Sequence, residues 1–171
     1  MTRSVGTAIV LGLSLCGVIV PANSGTDAGP LAGFDDIEVA VFIGDSSEVA
    51  RNRGTPLFSG DDNAEEEARS KIEKAMTERL RQGGLRVSSR STNVMRVALS
   101  GGKFEGEGCA GTNFFMIRIE VCDSDGFCPA DTTVLGAAAD SELTNRLVTT
   151  TANLAAEFSE QRSAWRKSHK L

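Results

Sequence analysis

The chain has 171 residues, with 23 Asp and Glu against 18 Lys and Arg, one histidine and a formal charge of −5. Such an acidic balance argues against sequence-independent binding to nucleic acid, whose phosphates repel it. With no tyrosine, one tryptophan (Trp165) and one histidine (His169), the chain is also poorly equipped to stack on bases or to ligate a metal.

The first two dozen residues read as a secretory leader. Arg3 gives a positive start, residues 5–20 are apolar, and small residues follow at two cleavage frames, Val20-Pro21-Ala22 and Ala22-Asn23-Ser24. The apolar run is shorter than the roughly 20 residues a membrane span needs. Cys16 raises lipidation as an alternative, but bulky Leu15 stands directly before it. The expected division is leader 1–24, a flexible mature N-terminus 25–34 and one domain over 35–168. Removing the leader leaves 23 acids and 17 bases, because Arg3 is its only charge. Their signs are uneven. Residues 25–67 hold 11 acids against Arg51 and Arg53, and the remainder holds 15 bases against 12 acids.

Ile37, Val39, Val41 and Ile43 alternate with Glu38, Ala40 and Phe42, which predicts a strand with one buried face. Residues 44–63 have no sustained period and form an acidic loop of the length that is functional or mobile in compact domains. Asp45 and Glu48 on this loop are candidate binding residues. A helix then opens at Asp61, Asp62 or Asn63, with Glu65, Glu66 and Glu67 suiting its positive end. Ala68, Ile72, Ala75, Met76 and Leu80 make its apolar stripe, and Gly83 closes it. Residues 85–89 and 93–100 alternate as two more strands. The run 101–111 holds five glycines and reads as a flexible connection.

Residues 113–139 predict a hairpin of two long strands around a cysteine-bracketed turn. A strand over 113–122 spans about 30 Å at roughly 3.3 Å per residue. Cys109 then lies near one end of the hairpin, while Cys122 and Cys128 flank the turn at the other. A disulfide needs Cα atoms within about 7 Å, so Cys122–Cys128 is the expected pair and Cys109 is left free or intermolecular. The closing helix, capped by Asp140 or Ser141, carries Leu143, Leu147, Thr151, Leu154, Phe158 and Trp165 in phase, and ends in bases. The order β-α-β-β-β-β-α predicts an α+β, two-layer domain: a mostly antiparallel sheet with two helices on one face.

Chemistry is thinly represented. Asp123-Ser124-Asp125-Gly126 begins like a calcium loop, but the position that requires glutamate is Val134, so it is turn chemistry. Gly101-Gly102-Lys103 lacks the Ser or Thr of a phosphate loop, and no Gly-x-Ser-x-Gly elbow accompanies His169. No cofactor and no catalytic residue is expected. Phe42 and Phe114 fall on the strand faces opposite the main apolar sets. They predict an exposed aromatic sheet face that Phe104 joins, unless the 44–63 loop folds over it.

The run Leu80-Arg-Gln-Gly-Gly-Leu-Arg-Val-Ser-Ser-Arg90, followed by Val97-Ala-Leu-Ser-Gly101, resembles a group of bacterial envelope domains. The group includes the periplasmic domain of the curli secretion channel, the N-terminal domain of TolB and lipoprotein activators of penicillin-binding proteins. The resemblance implies an accessory or assembly role beside another envelope protein, periplasmic or secreted, without catalysis. The alternative class is a small-ligand or enzymatic domain built on the 44–63 loop, and a homo-oligomer bridged through Cys109 is a third arrangement.

Overall fold

The computed structural model describes residues 20–22, 34–44, 57–58, 61–103 and 111–169. Its strands are β1 (Val20–Ala22), β2 (Asp36–Ile43), β3 (Arg86–Val87), β4 (Val94–Lys103), β5 (Thr112–Cys122) and β6 (Ala130–Ala139). Helix α1 (Asp62–Gln82) follows β2, and α2 (Leu143–Ser168) follows β6 after a 3-10 turn, Asp140–Glu142. The strands form one sheet in the order β1-β6-β5-β4-β2-β3. β4, β5, β6 and β1 pair antiparallel, whereas β2 lies parallel to both β3 and β4. This is the expected α+β class, with a mixed rather than purely antiparallel sheet.

The core lies between one sheet face and the helices. Ile37, Val97, Phe115, Ile117 and Ile119 from the strands meet Ile72, Met76, Leu80, Leu147 and Phe158 from the helices. Helix α1 follows its sequence signals closely. Asp61 Oδ1 accepts from the backbone N–H groups of Asn63 and Ala64, both at 3.1 Å. Ala68, Ile72, Met76 and Leu80 are buried, and Glu65–Arg69 and Glu67–Lys71 pair along the outside at 2.9 and 2.6 Å.

Several elements depart from expectation. β1 was not expected, and it falls inside the segment read as leader. β3 is two residues long, because Ser88 Oγ and Ser91 Oγ accept from the N–H groups of Arg90 and Asn93 and bend the chain away. β4 continues through Gly101 and Gly102 to Lys103, where a flexible connection was expected. A Cβ at Gly101 would lie 2.2 Å from the Phe114 carbonyl oxygen. The glycines there permit close strand approach. Neither Asp140 nor Ser141 caps α2, whose start has no side-chain cap. The Asp140 carboxylate is instead held by Asn113 Nδ2 at 2.6 Å and Lys103 Nζ at 3.0 Å. Finally, Trp165 is only half-buried and stacks on His169 with centroids 4.1 Å apart, while Arg162 takes the buried place on the stripe.

Cys122 and Cys128 stand at disulfide distance, with Cα atoms 3.9 Å apart and a bond between them. Closing so short a loop contributes about 2 kcal/mol through the unfolded chain. Cys128→Ser is therefore expected to lower denaturation stability by about 2 kcal/mol relative to the oxidised protein. Reductant should bring the wild type to the same level. Identical midpoints with and without reductant would show that the bond does not form.

Candidate interaction surface

Alternation buries one sheet face, and among the described residues no helix covers the other. Strand register fixes its composition. Phe42 on β2 lies beside Ala98 on β4; Ser100 on β4 aligns with Met116 on β5 and Leu135 on β6; Gly102 aligns with Phe114 and Ala137. Phe42, Leu135 and Met116 are 57%, 51% and 37% exposed, and Phe114 is half-buried. β4 contributes nothing larger than serine at these positions, so a shallow trough follows it between β2 and β5; Phe42 stands across it from Arg118, one row from Met116. Three large apolar side chains left in water on one face is the unusual observation here, since scattered single ones are ordinary.

The rest of the same face is charged, beginning with Arg118 in the row of Phe42. Arg118 reaches Glu120 at 2.7 Å and Asp131 at 3.0 Å, and Arg96 stands in register with Glu120. The hydrogen bond to Asp131, reinforced by that residue's charge and by Glu120, raises the Arg118 pKa above its usual value. These pairs are exposed and contribute little to stability. Their arrangement gives the face a polar margin next to its apolar half.

Of the residues singled out by sequence, Phe42 and Phe114 both lie on this face but two rows apart, Phe42 beside Ala98 and Arg118 and Phe114 beside Gly102. Phe104, Asp45, Glu48 and Cys109 lie outside the described residues. The described part of the 44–63 loop does not cover the face. Leu57 is buried on the opposite side, where its Cδ2 would stand 3.0 Å from a Cβ on Gly101, and Phe58 packs against the same core. Met116 and Leu135 were missed. For Met116 the signal was present, since Ile117 and Ile119 set the core parity and leave Met116 outside. For Leu135 it was not, because Val134 and Leu135 are adjacent and only their register with β5 decides which faces the helices.

Two polar clusters sit elsewhere and hold the fold. At the start of β2, the Asp35 carboxylate receives hydrogen bonds from both Arg162 and Arg166 of α2. Burial works to raise the Asp35 pKa, but the hydrogen bond from Arg162 and the charge of Arg166 outweigh it, and the pKa lies below the usual value. At the opposite end of the sheet, the hydrogen bond from Asn113, followed by that from Lys103, lowers the pKa of Asp140. His169 Nδ1 is engaged by Ser168 Oγ at 2.8 Å and the Trp165 carbonyl at 3.0 Å. The Asp123 carboxylate accepts from the N–H groups of Asp125 and Phe127, and so serves its own turn. Among the described residues, no three His, Cys, Asp or Glu side chains are grouped to hold a metal ion, and no helix is long and apolar enough to cross a membrane.

Comparison with known proteins finds structural likeness at low identity. Two structures of PelC dodecamers from Paraburkholderia phytofirmans, one a point variant, are each 16% identical with a TM-score of 0.48. The alignments cover 84% of this chain and 98% or 97% of theirs. A minor lipoprotein from Acinetobacter baumannii is 13% identical with a TM-score of 0.41, over 78% of this chain and 95% of the other. No family model matches the sequence, and no curated protein is significantly similar to it.

Proposed function

We propose that this protein is an exported, non-catalytic accessory domain of the bacterial envelope, periplasmic or secreted, that binds another envelope protein through its open sheet face. The observation that carries the reading is the apolar part of that face, where Met116 and Leu135 share a row and Phe42 stands one row away, all three in water. Such a patch is stabilised when a partner covers it, at roughly 25 cal/mol per Å² of apolar surface removed from water. The charged half supplies the rim that fixes orientation, as polar margins do at protein interfaces. The leader-like start and a cysteine pair at disulfide distance support export. Removing residues 1–24 would take β1 away and free the outer edge of β6 beside Leu135. The partner would then meet unpaired backbone donors and acceptors next to the trough.

The test is differential capture from the host's envelope fraction. Phe42→Asp and Leu135→Asp place a charge at exposed positions and should leave the fold intact. Each is expected to weaken retention of the partner by about thirty-fold, the effect of losing one anchoring side chain. Lys74→Asp, on the outer side of α1, should have no effect. Equal retention by all four proteins would remove the sheet face from consideration.

A further inference from the structure

The turn between β5 and β6 carries an aromatic side chain that the core does not use. Phe127 is 62% exposed, more than any other large apolar residue among those described. Its backbone is nevertheless held on several sides. The Cys122–Cys128 bond closes the loop, Asp123 N–H donates to the Phe127 carbonyl at 2.9 Å, and Phe127 N–H donates to Asp123 Oδ1 at 3.0 Å. Gly126 N–H adds a bond to the Asp123 carbonyl at 3.1 Å. An aromatic ring with few rotatable bonds on a fixed backbone loses little freedom when it is captured, which is the property of an interface anchor.

A receiving groove lies on the same molecule. The C-terminal halves of α1 and α2 leave a cleft of about 440 Å³ walled by Gly83, Ala156, Ser163 and Ala164. Arg79 and Lys167 also line it, against the single acid Glu160. Phe127 is flanked by Asp123 and Asp125, so anchor and groove are complementary in charge.

Both features are at one end of the domain. Cys122 pairs with Val94 at the start of β4, and Asn93 bonds to the start of β2 through Asp36 and Glu38. Gly83 and Leu85 lead into β3, which pairs with Asp36 and Ile37, and Arg162 brings the last turns of α2 to Asp35. A surface that holds both an anchor and its groove meets the requirement of a two-fold interface, where each copy gives what the other receives. We infer that this end is a self-association surface, on which Phe127 of one copy enters the α1–α2 groove of a second copy and the exchange is reciprocal.

Sedimentation of the purified protein over a concentration series tests this directly. The wild type should form a dimer, and Phe127→Ser should raise its dissociation constant at least about thirty-fold. Ala164→Glu should do the same from the groove side. Both positions are exposed, so the variants should keep the wild-type melting transition, and Phe42→Asp should keep the dimer. A wild type that is monomeric throughout, or a dimer that persists in Phe127→Ser, overturns the inference. A dimer lost in Phe127→Ser but intact in Ala164→Glu overturns the groove as its seat.

Discussion

Gly101→Ala is expected to destabilise the protein by about 3 kcal/mol or more, with a fall in melting temperature of about 10 °C. The single added carbon would lie 2.2 Å from the Phe114 carbonyl oxygen and 2.8 Å from the Phe115 Cα, both backbone atoms of β5. A side chain in the way can rotate, but a backbone atom moves only if β4 and β5 separate along a ladder of ten paired residues. The loss is a large fraction of the total stability of a domain, about 5–15 kcal/mol. Gly44→Ala is the matched control, because a Cβ there meets nothing within 4 Å. Thermal melts of the two variants side by side check the claim, and equal melting temperatures would show that β4 and β5 do not approach so closely.

Asp35→Ala is expected to cost about 2 kcal/mol, and the cost should disappear in acid. The Arg162 guanidinium is 6% exposed and Asp35 is its carboxylate, so the substitution leaves a buried cation without an acid. Losing one partner of a fully buried pair costs about 3–5 kcal/mol. The expectation is lower because the Asp35 side chain is 58% exposed and screened by water. The Asp35 pKa is depressed in the folded state, so its stabilising effect is complete above the unfolded value of about 3.9. It is lost as pH falls through the lower, folded value. Denaturant midpoints of wild type and Asp35→Ala should therefore differ at neutral pH and converge in strong acid. Arg162→Met, which fills the same space without a charge, should cost less than Asp35→Ala. The reverse order would mean that packing, not the ion pair, fixes α2 against β2.

The elements with a strong period and chemical punctuation were legible in the sequence. Helix α1 has an acidic first turn, a stripe at three and four, and glycines at its end. Gly84, one residue after the expected C-terminal glycine, is the one with positive φ, at 82°. β2 was legible because its alternation is unbroken and β5 because Ile117 to Val121 alternate, and that parity also placed Phe42 and Phe114 on the open face. What could not be read depends on contacts between distant segments. Arg162 occupies a buried helix position only because Asp35, 127 residues earlier, meets it there. Asp140 looks like a helix cap until Asn113 and Lys103 take its carboxylate. β4 runs on through two glycines because β5 lies alongside, and propensity alone reads them as a loop. Phe127 gave no periodic signal, being a single residue in a seven-residue turn whose exposure depends on how that turn closes.

Under the proposed function, the open face and not the helical face meets the envelope partner. The most direct measurement places a photo-crosslinking residue at Leu135, Met116 or Lys74 in the full chain and illuminates living cells. One defined adduct is expected from Leu135 and Met116 and none from Lys74, with the Leu135 adduct lost when Phe42→Asp is added. An adduct from Lys74 alone, or a Leu135 adduct indifferent to Phe42→Asp, would contradict it.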